Sequence, residues 1–366
     1  MKKTIITTLK FQKSQIIFEA VEQASDLILP IYSNVFDGYH FSSSTELEVF
    51  VKNSKEALER IIKGKVSEII IMVASDINEN LKINNYSFSK TILNNNATLS
   101  ELELEKEIIQ EFEKNAKVII KNETLNKSVK NNTLTLIKNV AFLEANFVSL
   151  VNRITTNNHL NVAKYYILDE LKAFNDTIAN KNQVFIDIND NYLKFDLFLG
   201  KNLLKTHIVN NGINQIRSKI TSKHNKASST LVNLAIKIQD DLEELKSQDN
   251  VVDTAKNVLD FYLEQMLIEY RNFLHQNSLN ADHLKLNFYH NDYASAFKKL
   301  SIAKQVAVKI CSNDCDFISQ EMHGLINILT ENIEKQDLKK FITTEIFVID
   351  SILSEQKINR KNTLFI

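Results

Sequence analysis

Proline and glycine are nearly missing from this chain, which has one Pro and five Gly in 366 residues. At average usage a soluble sequence of this length carries roughly 18 Pro and 25 Gly. Pro fixes φ and removes an N–H, and Gly supplies the left-handed turns that β-rich folds need often. Pro30, Gly38, Gly64, Gly200, Gly212 and Gly324 leave two long stretches, 65–199 and 213–323, with neither residue. The expectation that follows is all-α: an elongated bundle of long amphipathic helices.

The remaining composition narrows the function classes. Hydrophobic residues make up 44% of the chain, enough to bury a sizeable core. Lys and Arg number 44 against 45 Asp and Glu, so the basic excess of a nucleic-acid-binding chain is missing and that partner is not expected. Arg, the preferred bidentate phosphate partner, occurs only at Arg60, Arg153, Arg217, Arg271 and Arg360. Cys311 and Cys315 are four apart, a helical spacing that does not suit a disulfide, so two free thiols are expected. Lys10, Gln12, Lys13 and Gln15 interrupt any apolar run after Met1-Lys2-Lys3, so no signal peptide is expected. Apolar runs such as Ile69–Ala74 fall far short of the roughly 20 residues of a spanning helix. The chain is expected to be soluble.

Three- and four-residue apolar spacing places helices along most of the sequence. They are read over 14–36 (kinked at Pro30), 45–63, from Val66 towards Leu81, and over 98–121, 133–156 and 159–181. Residues 83–97 and 121–132 read as polar connections. Ile213, Ile216, Ile220, His224, Ala227, Leu231, Leu234, Ile238, Leu242 and Leu245 form a heptad seam, roughly 50 Å long at 1.5 Å per residue. A second long pattern, Val251 to Phe273, would return antiparallel to it. Helices near 291–312, 315–334 and 337–356 complete the chain. The period changes only at 183–199. Val184, Ile186 and Ile188, then Leu193, Phe195, Leu197 and Leu199, alternate about Asn189-Asp190-Asn191, which is a β-hairpin signal. The implied division is an N-terminal helical region, 1–130, and a long-helix bundle carrying the hairpin, 131–366. No repeat of fixed period is seen.

Chemistry-bearing clusters are sparse, and no enzyme, cofactor or metal site is expected. His275, Asp282, His283, His290 and Asp292 crowd one connection at spacings that match no ligand pattern. Glu321 and His323, two apart, read as helical surface. Asp240-Asp241-Leu242-Glu243-Glu244 resembles the aspartate-rich motif of terpene synthases, but Lys299 stands where their second motif, starting at Asn291-Asp292, needs an acid. The spacing of Arg153 to His159, and of Arg217 to His224, resembles that in helical ribonucleases of the HEPN type.

The leading expectation is a non-enzymatic assembly protein acting through helix–helix contacts with itself or a helical partner, along the seam from Ile213 to Leu245. The alternative rests on layout: a β-hairpin set among long helices resembles ClyA-like pore-forming toxins. That resemblance would make 183–199 a membrane-seeking tongue, with Phe185, Tyr192, Phe195, Leu197 and Phe198 as contact residues.

Overall fold

The computed structural model describes residues 4–24, 27–37, 44–77, 80–92, 97–223, 251–280, 285–291, 293–311 and 318–332. These residues form thirteen strands in three sheets together with the helices, so the fold is mixed α/β and the all-α expectation is wrong. The chain starts as an antiparallel meander: β1 (Thr4–Phe11), β2 (Gln15–Ala24) and β3 (Leu27–Asp37). Helix α1 (Ser44–Ile62) crosses to β4 (Glu68–Val73), which pairs parallel to β1. An excursion follows, made of β5 (Leu81–Thr91), α2 (Ala97–Lys114), β6 (Lys117–Lys130) and β7 (Thr133–Glu144), and its sheet runs β5-β7-β6. Helix α3 (Ala145–Asn157) then leads to β8 (Asn161–Ile167), parallel to β4. The first sheet thus runs β3-β2-β1-β4-β8.

The second half repeats this plan. Helix α4 (Leu168–Ala173) crosses to a second meander, β9 (Asn182–Ile188), β10 (Leu193–Leu199) and β11 (Asn202–Val209). Helices α5 (Ile213–Lys223) and α6 (Val251–Gln276) precede β12 (Lys285–Phe288), and α7 (Ala294–Ala303) connects it to β13 (Ala307–Ile310). The order β11-β10-β9-β12-β13, with the same parallel and antiparallel senses, matches the first sheet strand for strand. A helix over 320–332, here α8, packs Met322, Leu325 and Ile326 with Leu168 and Leu171 of α4. Gly324 permits that approach, since a Cβ there would lie 2.1 Å from the Leu171 carbonyl oxygen.

Particular residues explain why so many strands looked helical. Ile69, Ile71, Met72 and Val73 of β4 are buried at 1% exposure or less, because β4 is an interior strand covered on both faces. Such strands read as continuous apolar runs without alternation. The segment read as a helix over 14–36 is β2 and β3, and Pro30 sits on edge strand β3, opposite Val21 and beside a register shift. An edge strand is the position in a sheet that accepts Pro. The turns avoid glycine by using other residues at positive φ. Lys130 pairs with Thr133 across a two-residue turn whose Asn131 and Asn132 have φ of 47° and 60°. That is the hairpin geometry usually served by Asn-Gly, and Asn tolerates it better than most side chains.

The other helical assignments resolve the same way. The reading over 98–121 is α2 followed by β6, 133–156 is β7 followed by α3, 159–181 is β8 followed by α4, and 291–312 is α7 followed by β13. The polar stretch 121–132 belongs to β6 and its turn, and 83–97 is mostly β5. The hairpin at 183–199 exists as β9 and β10, but it lies inside a five-stranded sheet.

Candidate functional site at the junction of the two sheets

Each meander begins with the same hairpin. Phe11 pairs with Ile16 around a turn closed by the Gln12 N–H donating to the Gln15 carbonyl at 3.0 Å. Ile188 pairs with Leu193 around a turn closed by Asn189 N–H to the Tyr192 carbonyl, also 3.0 Å. Superposed in register, Lys10 corresponds to Asp187, Gln15 to Tyr192 and Glu19 to Asp196.

Asp76, just beyond β4, joins the two turns. It accepts the Lys13 N–H at 3.2 Å from the first and the Tyr192 hydroxyl from the second. The Lys13 ammonium lies 5.0 Å from the centroid of the Tyr192 ring. Behind this contact the interior is charged. Lys194 pairs with Asp169 and, at 3.3 Å, with Asp196; both carboxylates have no exposed surface. Asp196 also accepts from Thr206 at 2.6 Å and from the Tyr289 hydroxyl at 3.0 Å. Asp169, in the first turn of α4, accepts the Ser75 N–H at 2.6 Å. A second cluster centres on Lys10, which pairs with Glu19, with Glu321 of α8 at 2.9 Å and with the Ser319 hydroxyl at 2.7 Å.

Burial and neighbouring charge set the protonation of these groups. Burial works against the Asp169 charge, yet Lys194 and Lys172 outweigh it and hold the carboxyl below its ordinary range. Burial dominates at Asp196 and pushes it up to about 6 against the pull of Lys194. Asp76 is raised by burial too. Glu321 resists the same effect because Lys10 and Lys172 bring it down to about 2. Lys10 is raised: burial would lower it, but Glu321 and Glu19 prevail. Desolvation and ion pairing thus oppose each other at each of these groups, and each charge depends on its partner staying in place.

A second feature lies beside α4. Edge strand β6 and edge strand β8 border a cavity of about 470 Å³. Ile120, Tyr165, Tyr166 and Phe174 give it apolar patches, set among charged side chains such as Lys164, Lys201 and Glu331. Ile120 is the extra residue of a bulge, where pairing with β7 jumps from Ile119 to Lys121, and bulges re-aim side chains in this way. Lys121 pairs with Glu170 in the cavity wall, and Glu170 also accepts the Leu203 N–H at 2.8 Å. The buried Asn122 Oδ1 has no hydrogen-bond partner.

Of the residues singled out from the sequence, Tyr192 and Glu321 lie at this junction, and the others fall elsewhere. Phe185, Phe195 and Phe198 have no exposed surface, and Leu197 and Tyr192 are buried at 5% and 7%. Phe195 and Leu197 pack under α6, while Phe185 and Phe198 join the first core. Ile213, Ile216 and Ile220 are buried against α6, in one cluster with Val258, Tyr262 and Met266 of the same chain. Leu231, Leu234, Ile238, Leu242 and Leu245 lie outside the described residues, as do His224, Asp240 to Glu244, Asp282, His283, Asp292 and Cys315. His159 is an exposed turn residue with φ of 53°, and Arg153 is exposed on α3. Glu321, read as surface, is buried on Lys10. The junction itself was not foreseen. Its one sequence trace is the likeness of Lys10–Glu19 to Asp187–Asp196, two strands around a four-residue polar turn with an acid near the far end.

No protein-family model matches the chain, and no curated protein matches it in sequence. Solved structures do resemble it. One is a chain of the "PilM-PilN type IV pilus biogenesis complex", with TM-score 0.52 and 13% identity over 83% of this chain and 87% of that one. MreB 5 of Spiroplasma citri bound to AMPPNP gives 0.47 at 9% identity, covering 92% and 100%. A Bacteroides thetaiotaomicron protein "with actin-like ATPase fold and unknown function" gives 0.39 at 12% identity, covering 88% and 95%. The doubled sheet order and the PilM–PilN likeness give a mixed α/β fold that resembles actin-like ATPase folds, and at such identity the likeness speaks of fold alone. The helical-assembly and ClyA-like toxin expectations are overturned together. The supposed tongue is interior sheet, and the neighbours in fold are not helical bundles. Among the described residues no helix is long and apolar enough to cross a membrane.

Proposed function

We propose that the chain is a protein-binding adaptor built on an actin-like fold, which receives an extended segment of a partner in the groove between β6 and β8. The observation that carries this reading is the meeting of two sheet edges at one cavity of mixed lining, where aromatic and aliphatic side chains alternate with charged and amide ones. A strand edge presents backbone N–H and C=O groups to any chain laid beside it. Peptides added this way gain affinity from main-chain hydrogen bonds and specificity from pockets for alternate side chains. Asn122, whose buried Oδ1 is unpartnered, lines the same cavity, and Ile120, Tyr165, Tyr166 and Phe174 offer the pocket. The similar chain in the PilM–PilN complex is named for an assembly with a second protein, and a protein partner fits that precedent. The partner segment this groove suits is extended, with apolar side chains on one face and polar ones on the other. The reading assigns the chain no catalytic role.

The test is selection of binders from a displayed library of random peptides. Selected peptides should alternate apolar and polar residues. They should lose at least tenfold in affinity against Tyr166→Ala and Asn122→Ala variants that unfold like the wild type. Peptides that bind those variants unchanged, or a library that yields no binder, would refute the groove.

A further inference from the structure

A fold of the actin-like ATPase kind implies a nucleoside triphosphate held where the opening turns of the two sheets face each other. Backbone that cradles phosphates needs glycine for close approach and N–H groups directed at the anion. Neither turn contains glycine: the first reads Gln12-Lys13-Ser14-Gln15, the second Asn189-Asp190-Asn191-Tyr192. Four N–H groups at the junction already have acceptors within the chain. Those of Gln12 and Asn189 close their own turns, that of Lys13 donates to Asp76, and that of Ser75 donates to Asp169. The Tyr192 side chain occupies the space between the turns, bonded to Asp76 and facing the Lys13 ammonium.

The second turn is also clamped from behind. Ile213 and Asn214 donate their N–H groups to the carbonyls of Asn189 and Asp190, at 3.0 and 2.8 Å. Gly212 lies so close that a Cβ would sit 2.4 Å from the Asp190 carbonyl oxygen. Arg217 donates to the Asp190 carboxylate at 2.9 Å. Charge opposes a polyphosphate as well. Glu19, Asp76, Asp169, Asp187, Asp196 and Glu321 are buried here against two buried lysines, Lys10 and Lys194, the partly exposed Lys172 and the exposed Lys13. Among the described residues no three of these acids converge as a metal would require. The residues present do not fit the nucleotide.

We propose that in this chain the carboxylates of Asp76 and Asp169 stand in for nucleotide phosphates, so that its two halves are fastened together permanently and without ATP. Asp76 binds both turns at once, as a phosphate between them would. Asp169 fixes the end of β4 to the crossover helix α4, and through Lys194 to the second sheet. The chain keeps the architecture of a nucleotide-driven machine with the driving ligand replaced by its own side chains.

Two measurements on the full chain test this. Calorimetric titration with Mg²⁺-ATP, Mg²⁺-ADP and inorganic phosphate, each to millimolar concentration, should give no saturable heat, and thermal unfolding should not shift. Saturable binding of either nucleotide at submillimolar Kd would overturn the proposal, since a ligand selective for the folded state must raise its stability. Hydrogen exchange supplies the positive arm. In the nucleotide-free wild type the Lys13 amide should be protected. In Asp76→Ala it should exchange at least tenfold faster, while amides inside β1 and β9 keep their protection. A Lys13 amide that exchanges freely in the wild type, or is unaffected by Asp76→Ala, would equally overturn it.

Discussion

Replacing Lys194 by Met should be among the most damaging single changes that preserve side-chain shape. The Met side chain fills the space of the lysine stem, so packing is largely kept and the loss is electrostatic. Lys194 is 2% exposed and faces two carboxylates with no exposed surface, those of Asp169 and Asp196. At 3.3 Å the Asp196 attraction alone is about 5 kcal/mol at an effective dielectric of 20. Much of this offsets the cost of burying the charges, and removal of one partner from a buried pair destabilises by about 3–5 kcal/mol. The Tyr289 ring, 5.6 Å from the Lys194 ammonium, adds a smaller cation–π loss. We predict a loss of about 4 kcal/mol. Urea unfolding followed by circular dichroism measures it: with a slope of about 3 kcal/mol per M, the midpoint should fall by roughly 1 M or more. Adding Asp169→Asn and Asp196→Asn to Lys194→Met should recover most of the loss, because no buried charge is then unpaired. A Lys194→Met variant within about 1 kcal/mol of the wild type, far below the cost of a broken buried pair, or a triple variant worse than the single, would refute the reasoning.

Acid should destabilise the chain through Glu321. Its carboxyl ionises at about 2 when folded against 4.5 ordinarily, so its stabilisation is complete above pH 4.5 and lost as pH falls towards 2. Glu321→Gln should therefore flatten the acid limb of a stability–pH curve. Asp196 acts with the opposite sign. Held up to about 6 against 3.8, it makes stability decline as pH rises between those values, and melting curves of Asp196→Asn should lack that decline. Gly324→Ala drives a Cβ to 2.1 Å from the Leu171 carbonyl oxygen, and thermal unfolding should report a loss of about 1–3 kcal/mol from overpacking. Asn132→Gly should be neutral or stabilising, whereas Asn132→Val should cost about 1–2 kcal/mol at that positive φ in denaturant unfolding.

Local pattern carried some of this fold and misdirected the rest. The helix at 45–63 and the long one from Val251 were legible because each presents one apolar stripe to a core, as was the hairpin at 183–199, whose strands alternate. Strands buried on both faces do not alternate. In β2, Ile16, Phe18 and Ala20 are buried on one face while Glu19 and Val21 are buried on the other, and the apolar positions of β2 and β3 matched helical spacing by coincidence. The scarcity of glycine misled for a separate reason. Lys63, Ala116, Asn131, Asn132, His159, Asn180, Ser278 and Gln305 adopt positive φ in its place, so this chain turns without the residue that usually marks turns. The junction was hidden because its members look like surface charge. Nothing local distinguishes Lys10 or Lys194, both interior, from a solvated lysine. Their partners Glu321 and Asp169 come from helices α8 and α4, so those two pairs form only when these helices pack on the sheets.

A distance measurement between the halves tests the central claim most directly. Spin labels at Val49 of α1 and Ile302 of α7, both exposed, would report it after Cys311 and Cys315 are replaced by Ser. Pulsed dipolar spectroscopy should give one narrow distance distribution, the same with and without millimolar Mg²⁺-ATP. A broad or two-peaked distribution in the free chain that sharpens or shifts when the nucleotide is added would contradict permanent closure by the chain's own carboxylates.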